Sequence, residues 1–232
     1  LPPGDGTTFN SALNWSPVGV PNSLDAAVFN GVGGDILFGS AFTNNRRLIV
    51  RGLTPQVRLL LQGNAYFLNA PDTSSPDRPF LVGPNPGDGV ELEVLDGTLI
   101  AGAAAIAVAP GSGATLRVLD TATVILFGPV DIADEGVATL EVLQGSALLT
   151  TADVHAAREP GSEASITLDG TGTSWSVAGS LFLGGSDLGA GGLAALTVTN
   201  DAALSVGELL TLRPESEATI SGATLDIGAL HT

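Results

Sequence analysis

Residues able to move a proton or attack a bond are scarce in this chain: it has two histidines, no cysteine and 24 acidic residues. Acid–base chemistry on a glycosidic bond needs paired carboxylates, often with a histidine or arginine, converging on one outward face. Two groups have suitable types and spacing. Glu91 and Glu93 stand two residues apart, which in an extended strand puts both on the same face. Asp131 and Asp153 fall at similar places in successive segments, so they are candidate neighbours with His155 beside them. The second histidine, His231, is expected to be frayed or to lie at an interface.

Metal chemistry finds less support. Without cysteine there are no thiolate zinc clusters, disulfides or thiol nucleophiles. Asp96, Asp120, Gln144 and Asn200 recur after a strand-like run. Side chains of this kind bond their own backbone in turns and can stack as a ladder, so they are read as turn residues, not as ligands. Gly31-Val-Gly-Gly-Asp35 has the look of a calcium-binding loop, but it occurs once where a calcium roll would repeat it. Asn14-Trp-Ser16 is a formal glycosylation sequon. No catalytic, cofactor-binding or metal-ligating residue is assigned, and the chain is expected to be non-enzymatic.

Charge narrows the partners. All eight basic residues are arginine, and against 24 acidic ones they leave a net charge of −16. Affinity for phosphates comes from clustered cations that release counterions, so nucleic acid and anionic membrane are excluded as partners. The stretch 97–116 is uncharged and twenty residues long, the length a bilayer requires. It nevertheless carries Gly97, Gly102, Gly111, Gly113 and Pro110, and is read as short buried strands around a turn. An apolar fraction of 44% opposes disorder. A chain that starts at Leu1 without methionine fits the removal of a signal peptide and equally fits a sequence that begins inside a longer one.

The elements that must position these residues come from a repeat. Val90-Glu-Leu-Glu-Val-Leu-Asp96 returns as Ala114-Thr-Leu-Arg-Val-Leu-Asp120, Ala138-Thr-Leu-Glu-Val-Leu-Gln144, Ala164-Ser-Ile-Thr-Leu-Asp169 and Ala194-Ala-Leu-Thr-Val-Thr-Asn200, with Ala218-Thr-Ile-Ser221 opening a sixth copy. Aligned on Leu92, Leu116, Leu140, Ile166, Leu196 and Ile220, the spacings are 24, 24, 26, 30 and 24. Each period holds three short runs of alternating polarity separated by glycine-, proline- or aspartate-bearing turns, which is the signature of strands. Three strands and three turns in about 24 residues predict an all-β, right-handed parallel β-solenoid. A propeller blade needs four strands in about forty residues.

Stacking then predicts contacts. Equivalent residues of successive coils lie about 4.8 Å apart. Leu92, Leu116, Leu140, Ile166, Leu196 and Ile220 form one inward column, and Val94, Val118, Val142, Leu168 and Val198 a second. Between them an outward column reads Glu93, Arg117, Glu141, Thr167, Thr197 and Ser221, which gives Glu93 a structural reason to exist. The chain is read as one domain over 1–232: a cap or extension over 1–24, irregular coils over 25–89, and regular coils over 90–232 with the last incomplete. About nine coils are expected, in a rod roughly 40 Å tall. Phe9 and Trp15 belong to the cap, 71–79 is a polar excursion, and Trp175 and Phe182 are read as core.

Asn14-Trp-Ser-Pro-Val-Gly-Val-Pro21 with Asp25-Ala-Ala-Val-Phe29, and Gly170-Thr-Gly-Thr-Ser-Trp175 with Gly179-Ser-Leu-Phe-Leu-Gly-Gly185 and Leu196-Thr-Val198, resemble secreted bacterial β-solenoid proteins of the autotransporter-passenger type. The resemblance implies export to the cell surface or medium and a role as filament, sheath, surface layer or adhesin. The function expected is that of an extracellular structural subunit that stacks head to tail on copies of itself. The alternative is an adhesin that binds surface glycans through exposed aromatics such as Trp15, Tyr66 or Trp175. A polysaccharide-degrading enzyme built on Asp131, Asp153 and His155 is third.

Overall fold

A computed structural model describes residues 8–11, 14, 19–31, 33–69 and 78–232. Trp15, Ser16 and most of the 71–79 excursion lie outside the described residues. Among the described residues strand is the only regular structure of any length, and it is stacked as a parallel β-solenoid. Alternation explains why: in Val137–Leu143 the even-numbered Ala138, Leu140 and Val142 are buried while their neighbours are partly open. A residue pattern of period two fits a pleated wall that has one wet face and one dry one.

Three walls enclose the core. The first is an eight-stranded parallel sheet of Gly34–Leu37, Gln56–Leu60, Gly89–Leu95, Gly113–Leu119, Val137–Leu143, Glu163–Asp169, Leu193–Thr199 and Glu217–Ser221. The second runs from Phe42–Asn45 through Thr98–Ala101 and Thr123–Leu126 to Ser174–Val177. The third runs from Ala26–Asn30 through Phe80–Val82, Val130–Ile132 and Val154–Ala156 to Leu181–Leu183. Two long strands, Ala203–Leu212 and Thr224–His231, bend around a corner and serve both of these walls. The result is eight full turns, with Ala26–Asn30 lying ahead of the first, where nine coils were expected. The last turn is complete on all three walls, not a partial one.

Register follows the repeat as far as Leu196. Leu92, Leu116, Leu140, Ile166 and Leu196 are Cα partners in sequence, and so are Val94, Val118, Val142, Leu168 and Val198. Each fully buried leucine contributes about 1.5–3 kcal/mol of apolar transfer free energy. The last step departs from expectation: Ala218 sits on Leu196 and Ile220 on Val198, while Thr219 faces Thr197 and Ser221 faces Thr199. A short corner is the reason. Only 213–216 separate Leu212 from Glu217, whereas 157–164 separate their register equivalents Ala156 and Ser165. The slip is two residues, so inward side chains stay inward.

Corners have their own rule. Gln62, Asp96, Asp120, Gln144 and Asn200 all take left-handed backbone angles, and Gly170 and Gly222 occupy the same corner in the two turns between and after them. The turn residues foreseen from sequence therefore share a conformation that asparagine, aspartate and glycine accept most readily. At the corner between the third and first walls, Gly192 lies so close to the Ser162 carbonyl that any Cβ would collide with it.

At the first turn Phe9 is buried, stacks on Phe38 at 4.6 Å and meets Tyr66 at 5.5 Å. The neighbouring inward residues Ala27 and Phe29 are buried as well.

Candidate functional site

Among the described residues, side-chain ion pairs form two clusters, one on the first wall and one on the third. On the first, outward parity and parallel register place Asp35, Arg58, Glu93, Arg117 and Glu141 in one column, one residue per turn. Arg58 lies 3.0 Å from Asp35 and 2.8 Å from Glu93. Arg117 is 3.5 Å from Glu93 and also pairs with Glu141 and with Glu91, one column over. The expected Glu93–Arg117–Glu141 alternation is present, and Arg58 and Asp35 extend it by two rungs. Glu91 and Glu93 are thus both held by a cation, and Asp35, from the calcium-like segment, is tied to Arg58. Arg117→Gln is expected to cost about 1 kcal/mol at low salt, because two to three favourable neighbours disappear and three carboxylates are left together. Chemical denaturation in 1 M salt should show most of that difference screened away.

The third wall carries the other cluster. In Val130–Ile132, Val130 and Ile132 point into the core, so Asp131 points outward. It is nonetheless fully buried, because side chains from three other places close over it. His155, its register partner one turn on, puts Nδ1 3.0 Å from Asp131 Oδ1. Arg158 Nη1 lies 3.1 Å from Oδ2, and the buried Arg78 pairs with the same oxygen while Arg78 Nη1 donates to the Ala104 carbonyl at 2.6 Å. Asp134 stands 3.8 Å from Arg158. His155 in turn stacks on Phe182 at 5.4 Å.

Burial by itself raises the Asp131 carboxyl, but the His155 hydrogen bond and the Arg78 and Arg158 charges outweigh it and hold it below its usual range. The ionised carboxylate accepts only, so His155 Nδ1 is the donor. Asp134 moves the opposite way, raised by burial and then by the Asp131 charge. Chemically, the cluster holds an Asp–His pair, and among the described residues no hydroxyl nucleophile bonds His155 or Asp131. All three donors converge on one carboxylate that is fully buried beneath them, so it is closed off from a bound molecule.

The structure separates what the sequence grouped. Asp153 lies at the corner before Val154–Ala156 and accepts the Ser180 backbone N–H at 2.8 Å; it is not beside Asp131. His155, not Asp153, is the neighbour of Asp131. His231 is an exposed strand residue in register with Thr211. Tyr66 is fully buried, with its hydroxyl 2.8 Å from Asn45 Oδ1 and its ionisation pushed well up by burial, so it offers no exposed aromatic platform. Trp175 is also in the core. Asn14, the sequon residue, donates its amide to the Thr8 carbonyl at 2.8 Å. Arg78 and Arg158 escaped sequence reasoning because neither falls in a repeated strand position.

A third feature is a shallow groove along the first wall. Two adjoining hollows of about 420 and 360 Å³ share Val137 and Thr139, one reaching back to Gln56 and the other forward to Glu217.

Comparison with known proteins gives no match to a family model, a curated protein or a solved structure.

Proposed function

We propose that this protein is a non-enzymatic, extracellular structural subunit that associates with copies of itself through its last turn, as part of a filament, sheath or surface layer. The observation that supports this reading is the axial surface of that turn. Leu225 and Leu230 are 36% and 56% exposed, although their column partners one turn earlier, Leu204 and Leu210, are 1% and 2% exposed. Ala218, Ile220 and Ile227 are likewise only partly covered. One more turn of the same kind would continue these columns and bury them. The outer backbone edge of Glu217–Ser221 and Thr224–His231 is also the kind of edge that templates further strands. At the other end, Ala26–Asn30 and Phe42–Asn45 are the terminal strands of their walls among the described residues, while Thr8 bridges Leu37 on the first wall. Head-to-tail contacts of this type do not close and so give filaments.

The fate of the chemically capable residues fits the same reading. Glu91, Glu93, Asp131, His155 and four of the eight arginines tie one turn to another. The extracellular assignment rests on the resemblance to secreted solenoids.

Sedimentation velocity over a concentration series tests the proposal. The expected result is a mass that rises with concentration for the parent protein and stays monomeric for the Leu225→Asp/Leu230→Asp double variant. A parent protein that remains monomeric at millimolar concentration overturns it.

A further inference from the structure

We propose that the groove on the first wall binds a neutral, unbranched oligosaccharide laid along the solenoid axis. The groove crosses successive turns: Gln56, Glu91, Thr115, Thr139, Ser165 and then Ala195 present equivalent outward positions along its floor. With Glu217 as the next member, six steps of about 4.8 Å give a run of about 29 Å. A polymer that repeats on the scale of one turn meets a hydrogen-bonding side chain at nearly every step.

Lining chemistry selects the polymer. Hydroxyls of Thr54, Thr115, Thr139 and Ser165 are flanked by carboxylates of Glu91, which pairs with Arg117, and of Glu163, Glu215 and Glu217, and among the described residues no cation lines either hollow. In a chain of net charge −16 such a surface repels polyanions, so uronic or sulfated sugars and nucleic acids are disfavoured while sugar hydroxyls can donate to it. Val137 and Leu193 stand in the groove 50% and 45% exposed, which provides apolar surface for the C–H faces of sugar rings. A peptide fits less well. Backbone groups inside this wall are already paired with the turns on either side, so an extended peptide finds no free edge to join. The exposed aromatic groove expected of a glycan binder is absent from this surface among the described residues; its role falls to hydroxyls, carboxylates and two aliphatic side chains.

Calorimetric titration of the 232-residue protein with β-1,4-linked glucose and xylose hexamers tests this, with a galacturonic acid hexamer and an uncharged hexapeptide as comparisons. Thr139→Arg blocks the junction of the two hollows and Thr115→Arg the first alone. Thr123→Arg, on the second wall, is the control, and circular dichroism checks that each variant is folded. Should Thr139→Arg fail to fold, Leu193→Glu replaces it in the second hollow. The expected result is saturable binding of at least one neutral hexamer. That binding weakens at least tenfold in the groove variants, is unchanged in Thr123→Arg, and is at least tenfold tighter than for the acidic hexamer. The proposal is overturned if neither neutral hexamer saturates, if the acidic hexamer or the peptide binds as well, or if groove variants bind like the parent. These outcomes are independent of whether the protein self-associates.

Discussion

Asp131→Asn unfolds at neutral pH with a free energy about 3–5 kcal/mol below that of the parent protein, the loss expected when one partner of a buried ion pair is removed. Asparagine keeps the shape of the side chain and deletes its charge. Arg78, 4% exposed, is then left as a buried cation facing a neutral amide, and Arg158 and His155 lose the same acceptor. The penalty is one of desolvation, so removing both charges should cost much less: Asp131→Leu with Arg78→Met is expected to recover most of the loss. Urea unfolding of the three proteins measures both effects.

The pH dependence follows from the directions of the two carboxyl shifts. Asp131 titrates below its unfolded value in the folded protein, so the stability it contributes is present above about pH 4, the unfolded carboxyl range, and is lost as pH falls through its lower folded value. Asp134 is raised, so its contribution is present below that range and is lost as pH rises through its folded value. The gap between parent and Asp131→Asn should therefore hold near pH 7 and narrow below about pH 4. A gap of constant size down to pH 2 would mean that Asp131 is held by packing and not by its charge.

Trp175→Ala is expected to lower stability by about 3–5 kcal/mol, the range for truncating a large buried aromatic. Its ring sits between Leu148 and Leu204 in the inward column of the second wall, and is among the largest fully buried side chains. Loss of the ring opens a void in the middle of a stack that is supported only by its neighbouring turns. Trp175→Phe separates two contributions. The indole Nε1 is buried without a hydrogen-bond partner among the described residues, so phenylalanine gives up area but removes an unsatisfied donor, and the cost should be well under half that of alanine. Thermal melts monitored in the far ultraviolet check the order. Neither variant should alter sugar binding, because Trp175 faces the core.

The parts of this architecture that sequence reveals are those governed by translation along the axis. Leu92, Leu116, Leu140, Ile166 and Leu196 recur at nearly constant spacing, and their identities state both the parity of the strand and its register, so the Glu93–Arg117–Glu141 column follows from counting. Counting fails where a corner changes length. Arg58 lies 35 residues before Glu93 across an irregular turn, and the short 213–216 corner moves Ile220 from the Leu196 column to that of Val198. It fails differently for Arg78 and Asp131, 53 residues apart, because Arg78 precedes its strand and reaches along the outside of the wall. No periodic signal describes a side chain that leaves its own rung. The burial of Tyr66 is hidden for a simpler reason: its strand repeats weakly in sequence, so its inward parity shows only in the pairing with Leu99. The groove is equally hidden, since its hydroxyls look like ordinary outward strand residues until seven strands of the wall are laid side by side.

Electron microscopy of the protein across a range of concentrations tests the central claim most directly, namely that the fold serves assembly through its last turn. The account predicts elongated particles that lengthen with concentration, with the cross-section of a single solenoid and density continuous across each joint. Leu225→Asp/Leu230→Asp should abolish the lengthening and leave single rods roughly 40 Å tall at about 4.8 Å per turn. Dispersed single rods of the parent protein at every concentration would contradict it.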